Sequence, residues 1–253
     1  MRVITRTYPQ DTEYITLYPI GDVHWGAAEC MESEFRAYLK QIENDPTAAV
    51  LLAGDLINNG IKSSVTNVYE EVYTPHEQKK MMVALLEPIK EKIIAGVCGN
   101  HEYRTVRETS TDVMDDIFCM LGIQSRYAGD VAFIKIQVGK KSNAKPATYM
   151  IYLSHGSGGG ALLGSGTSRQ DGYQMAIEGV DISITAHTHR PTKTPSSRLV
   201  FDAHNNVVKR RNTLIFVCTS WLRYAGYPAR KQLRPTAFHP DTIRLNGKEK
   251  AWW

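Results

Sequence analysis

The chain has few cysteines and none in a motif. Its 253 residues include Cys30, Cys98, Cys119 and Cys218, and no two of these form a C-x-x-C pair. That argues against a cysteine-built zinc module or a disulfide framework, and the four read as buried, reduced thiols. No stretch approaches the eighteen or more apolar residues of a membrane helix, and the opening MRVITRTYPQ has no apolar signal-peptide core. The expected compartment is the cytosol, with no membrane partner. A strong charge of one sign is also missing, since thirty Lys and Arg against twenty-six Asp and Glu leave +4. This mild excess fits an anionic substrate without demanding nucleic acid. Neither a linker nor an internal repeat interrupts the chain. The expectation is one domain over residues 1–253, with 205–253 adding a C-terminal strand and lid.

Short apolar runs rich in Val, Ile and Tyr are plentiful. They fall at 14–20, 49–53, 92–98, 131–138, 147–153, 181–186, 198–203 and 212–218, and they predict buried strands. Helical patterns lie between them. Residues 32–43 align Phe35, Leu39 and Ile42. Residues 76–91 align Met81, Met82, Leu85, Leu86 and Ile89, with Pro88 set to end that helix late. Residues 111–121 align Val113, Ile117, Met120 and Leu121, with Ser110 or Thr111 as N-cap. Residues 170–178 are a shorter candidate. The first half alternates strand and helix, which predicts parallel pairing. Later runs form hairpins across GKKSNAKP and across a His-Asn-Asn turn. The predicted fold is α/β: two mixed sheets packed as a sandwich flanked by helices.

Five polar clusters each follow a strand-like run: Asp22 and His24 in GDVH, Asp55 in AGDL, Asn100 and His101 in CGNHE, His155 in LSHG, and His187 and His189 in AHTH. Sites in α/β sheets form at the carboxyl ends of strands, so distant clusters can meet there. Imidazole and carboxylate suit divalent Mn, Fe or Zn, and an amide oxygen is a neutral supplement. Two metals roughly 3.5–4 Å apart need a bridging ligand, and a carboxylate such as Asp55 offers two oxygens. Taken singly, Asp22 could be a turn residue, Asn100 a cap and His155 a core histidine. All five in order are a metal site. His76, His204 and His239 have no such partners and read as surface or turn residues.

The order D-x-H, GD, GNH-[D/E], H and H-x-H resembles the calcineurin-like metallophosphoesterases from residue 20 to residue 190. That resemblance implies a four-layer sandwich and two divalent cations, with manganese foremost and iron, zinc or nickel as alternatives. It implies Asp22, His24, Asp55 and His189 around one cation, and Asp55, Asn100, His155 and His187 around the other. His101 would be catalytic, and a hydroxide shared by the cations would attack phosphorus. Two departures stand out: Ala186 where the family usually has Gly, and Asn59 where protein phosphatases carry an Arg. The second argues against a protein phosphatase. No Tyr follows Asp55 closely, unlike purple acid phosphatases.

GDVHWGA and AGDLI look closer to DNA-repair exonucleases and related phosphodiesterases, in the compact form of phage and bacterial members. The expected function is phosphodiester hydrolysis, with a nuclease as one form of it. Alternatives are a phosphomonoesterase and a non-catalytic protein-binding scaffold; family members of the second kind lose ligands that this chain keeps. Arg104 and Arg107 are candidates to face the substrate phosphate, against a solvated helix start. The Gly-rich run after His155 could let a phosphate approach backbone N–H groups, or be a loop. The segment 221–234 interleaves Trp221, Tyr224 and Tyr227 with Arg223, Arg230, Lys231 and Arg234. Such a mix suits stacked bases and a phosphate backbone, against ordinary packing of a C-terminal strand and lid.

Overall fold

Alternation along the strands sorts side chains into two cores. In the computed structural model, which describes residues 1–64, 68–159, 164–230, 232 and 234–253, β2 (Tyr14–Ile20) sends Ile15 and Leu17 to one face and Tyr18 and Ile20 to the other. Strand β3 (Ala48–Leu52) does the same with Ala49 and Leu51 against Val50 and Leu52. Both faces are therefore covered, as the continuous apolar runs require. With β4 (Ile93–Gly96) and β10 (Ile243–Asn246) they form a four-stranded sheet in the order β10-β2-β3-β4.

The second sheet has six strands: β1 (Arg2–Thr7), β5 (Val131–Val138), β6 (Ala147–Ser154), β7 (Ile182–Thr185), β9 (Val207–Val217) and β8 (Thr192–Asp202), in that spatial order. Ala132, Ile134, Ile136 and Val138 of β5 meet Leu17, Leu51 and Ile94 between the sheets. Burying each Leu or Ile there contributes about 1.5–3 kcal/mol. On the outer face of the four-stranded sheet, α1 (Glu32–Asn44), α2 (Pro75–Leu86) and α4 (Val113–Met120) enclose the other core. Helix α5 (Ser165–Met175) covers the far side of the six-stranded sheet, against β7, β8 and β9. The predicted two-sheet sandwich between helices is the fold.

The hairpins β5–β6 and β8–β9 pair where the sequence placed them, and β2, β3 and β4 are parallel. Several boundaries differ. The 111–121 helix starts later, because Ser110 is the left-handed C-cap of α3 (Asn100–Thr109). Asp112 caps it instead, accepting from Met114 N and Asp115 N. That start sets its buried face as Val113, Met114, Ile117 and Phe118 and leaves Met120 half exposed. The long helix does end near Pro88, giving way to a 3₁₀ stretch over Glu87–Lys92. Cys30, Cys98 and Cys218 are buried, while Cys119 is exposed on α4. His76, His204 and His239 are exposed.

Candidate metal centre

Parallel pairing of β2, β3 and β4, and of β6 with β7, aligns their carboxyl ends. All five polar clusters leave from those ends, at the edge where the two sheets meet. Backbone bonds join the loops: Asp22 N donates to Gly54 O, Val23 N and His24 N to Asp55 O, and Ala186 N to His155 O. Side chains extend the joins. His101 N donates to Asp55 Oδ1 at 2.8 Å, and His187 N to Asp22 Oδ1 at 3.0 Å.

The result is a dense set of ligand-type atoms. Those of Asp22, His24 and His189 lie within 4.8 Å of one another, as do those of His24, Asp55 and His101, and those of Asp22, Asp55 and His155. His24 Nε2 is 3.1 Å from His189 Nε2. Asn100 Oδ1 is 2.9 Å from His155 Nε2 and 2.7 Å from His187 Nδ1. Asp55 Oδ2 faces His155, His101 and His24 at 3.3, 3.8 and 3.9 Å.

Ring orientation is set from behind. His155 Nδ1 donates to Ala53 O at 2.8 Å and His101 Nδ1 to Asn58 O at 2.7 Å, so each turns Nε2 inward. Five of these residues, Asp22, His24, Asp55, His187 and His189, hold left-handed backbone with φ between 50° and 66°. Such angles for non-glycine residues cluster at functional sites.

Electrostatics point the same way. Asp22 and Asp55 are buried, and among the described residues no Lys or Arg is bonded to either, nor do Asp22 Oδ2 and His24 Nδ1 have a hydrogen-bond partner. Buried carboxylates need a cation or a protonated neighbour. Burial pushes Asp22 up to about 7. Burial would also raise Asp55, but the imidazoles of His155 and His101 hold it well below the carboxylate range. Burial lowers His24, His101, His187 and His189, the last to about 4. His155 goes the other way, to about 10, because the Asp55 carboxylate outweighs its burial. Mutually exposed imidazole nitrogens, unpartnered acceptors and two buried carboxylates are a donor set that fits divalent cations.

Sequence reasoning missed the residues that hold the loops. Glu102 is fully buried and accepts four backbone N–H groups: Leu56 and Ile57 on Oε1, Asp55 and Gly99 on Oε2. Its signal was present as a capping box, with Glu three residues after the N-cap Gly99. Burial and the nearby Asp55 push this carboxyl up, to about 7. Asn59 takes the place of the Arg of protein phosphatases and has another task. Its Nδ2 donates to His101 O and to Thr105 Oγ1, pinning the start of α3. Ala186 fits without strain: its φ is not positive, and its methyl lies against Gly21, where a Cβ would come within 2.7 Å.

Arg104 is partly buried on α3, with Nη1 donating to Ser64 Oγ at 3.1 Å. Burial lowers its pKa against the pull of Asp55, Glu102 and Glu71. Arg107 is exposed in the last turn of that helix. Of the two readings of 221–234, packing holds at Trp221, which is 1 % exposed and packs on Phe35, Tyr38 and Phe238 at 5.0–5.1 Å. Arg223 and Arg230 pair with Glu34 and Glu70. Lys231, the side chain of Tyr227, and residues 160–163 of the Gly-rich run lie outside the described residues.

Buried imidazoles and carboxylates converging at the joint edge of two packed sheets define a metal-dependent hydrolase. The sequence profile of the calcineurin-like phosphoesterases matches residues 15–191, more than half of the chain. The protein belongs to that family and is a metal-dependent phosphoesterase. Among curated proteins, none matches the chain. No helix among the described residues is long and apolar enough to cross a membrane.

Proposed function

We propose that the protein hydrolyses phosphodiesters at two divalent cations, with manganese as the working metal. Asp22, His24, Asp55 and His189 would hold one cation, and Asp55, Asn100, His155 and His187 the other. The observation that supports this is the convergence of all seven side chains, with Asp55 Oδ2 facing His24 at 3.9 Å and His155 at 3.3 Å, and Asn100 Oδ1 bonded to His155 and His187. Bound cations would supply an acidified water and draw charge from the phosphoryl oxygens.

The chain's own groups do the rest. Nδ1 of His101 is committed to Asn58 O, so Nε2 is the atom available to a substrate. Burial favours the neutral ring, and an anionic phosphoryl group beside it would favour the imidazolium. In that form His101 protonates the leaving oxygen. Glu102 and Asn59 keep His101 and Asp55 in register. Arg104, held beside the carboxylates, is the guanidinium best placed to meet a phosphoryl oxygen, with Arg107 further along the helix. The preference for diesters rests on GDVHWGA and AGDLI, and nucleic acid is one such diester. We take residues 1–253 as one domain, acting in the cytosol.

The test is hydrolysis of bis-(4-nitrophenyl) phosphate beside 4-nitrophenyl phosphate, with Mn²⁺ and with chelator. Faster, chelator-sensitive cleavage of the diester is expected. Faster monoester cleavage would make the protein a phosphomonoesterase. No cleavage of either by manganese-loaded protein would refute the catalytic assignment.

A further inference from the structure

Beside the metal centre lies a cavity of about 720 Å³ whose wall includes Asn100 and His155. A phosphoryl group at the centre would have its organic substituent within reach of this space. Sites for small organic ligands are of about this size, roughly 300–1,000 Å³. A bare phosphate or a methyl ester would leave it unused.

Its lining is specific. Tyr103 comes from α3, Tyr152 from β6, and Arg169 and Tyr173 from α5. Tyr152 is buried and fixed between Phe133 and Tyr173, with ring centroids 5.6 Å away on each side. Tyr103 and Tyr173 are 46 % and 56 % exposed, which leaves aromatic faces open at the cavity. Arg169 lies against Gly158. A Cβ on Gly158, whose φ is +84°, would collide with Arg169 Nη1, so glycine lets the guanidinium rest there. Aromatic faces and a guanidinium both stack on flat rings. Asp130 lines the same cavity and offers an acceptor for ring N–H or amino groups, which a plain aryl ring does not carry.

We infer that this cavity takes the base of a nucleoside phosphoester, stacked on the tyrosines and Arg169, while its phosphoryl group sits at the metal centre. The inference rests on the phosphoesterase function proposed above. It gives Gly158 a role as the seat of Arg169.

The experiment compares adenosine 5′-monophosphate, ribose 5-phosphate and hexyl phosphate as inhibitors of bis-(4-nitrophenyl) phosphate hydrolysis by manganese-loaded protein. Stacking of one base, worth about 1–3 kcal/mol, predicts an inhibition constant for the nucleotide about 5- to 150-fold below that of ribose 5-phosphate. In Tyr173→Ala and Arg169→Gln that ratio should fall towards one, with metal content and the ribose 5-phosphate constant unchanged. Equal constants for nucleotide and sugar phosphate, tighter binding of hexyl phosphate, or an unchanged ratio in both variants would overturn the inference. If the diester is not cleaved at all, the catalytic assignment fails by itself. Calorimetric dissociation constants on the same manganese-loaded protein then decide the cavity separately, and a ratio of one rejects it.

Discussion

Gly54 and Gly122 offer a controlled comparison of what the metal centre demands of the backbone. Both hold left-handed angles, φ +84° and +72°. At Gly122 an added Cβ would meet nothing within 4 Å, whereas at Gly54 it would strike Gly99 N and come within 2.6 Å of Gly99 Cα and 2.8 Å of Cys98 C. Gly122→Ala should therefore cost only the left-handed penalty, about 1–2 kcal/mol. Gly54→Ala carries that penalty plus overpacking of about 1–3 kcal/mol, or about 2–5 kcal/mol in all. The extra cost falls on backbone, which no rotamer change can relieve. It must part the loop of Asp55 from the loop of Asn100 and His101. Urea unfolding in chelator would measure the two stabilities, and metal content after gel filtration the second effect. We expect Gly54→Ala to lose both stability and metal, and Gly122→Ala to keep its metal. Equal losses of stability, or full metal retention in Gly54→Ala, would refute the claim that contact between these loops sets the ligand geometry.

Four further outcomes are expected. His101→Ala should slow turnover by about 10²–10⁴-fold with near-normal metal content, measured by steady-state kinetics and elemental analysis; loss of the metals would make His101 a ligand. Asp55→Asn should weaken metal binding by more than the roughly 10–100-fold that follows loss of a ligand's supporting partner, read by calorimetry. Trp221→Ala should cost about 3–5 kcal/mol of stability and leave KM for small diesters unchanged, because its ring is core. His155 has both ring nitrogens facing acceptors and a pKa raised from 6.5 to about 10. Its pairing with Asp55 therefore stabilises metal-free protein fully below about 6.5 and is lost as pH rises through about 10. Metal loading at pH 8 should accordingly release about one proton from this ring, measured by calorimetry in buffers of different ionisation enthalpy. No release would mean that His155 is already neutral.

Much of the site was legible because ligand chemistry leaves few residue types to choose from. Asp22, Asp55 and the five histidines announce themselves by type and by their place after apolar runs. The fold was legible where burial writes a period, as in 131–138, whose alternate residues line the space between the sheets. Strand β1 was not, because it lies at the edge of its sheet and its residues are mostly exposed, so RVITRT has no apolar run to show. Strand β10 is only four residues long. The supports of the site were harder still. Glu102 and Asn59 act by hydrogen bonding to backbone N–H and C=O groups of segments more than forty residues away, or to a helix start. Backbone groups are the same in every residue, so no pattern in the sequence marks that they will be met.

The left-handed angles at five candidate ligands bear on how the centre works. Each costs a non-glycine residue of the order of 1–2 kcal/mol. Such strain persists only where the surroundings over-determine it. Here hydrogen bonds fix those angles: Asp22 N is bonded to Gly54 O, His24 N to Asp55 O, His187 N to Asp22 Oδ1, and the Asp55 loop to Glu102. The folding energy of the two sheets thus goes partly into holding carboxylates and imidazoles at angles they would not choose. A cation bound there would add its binding free energy to the stability of that arrangement. What opposes binding is the displacement of protons from the ligands that hold them. Burial pushes Asp22 up to about 7, and pairing with Asp55 raises His155 to about 10; a divalent cation would offset the cost of the first and replace the second.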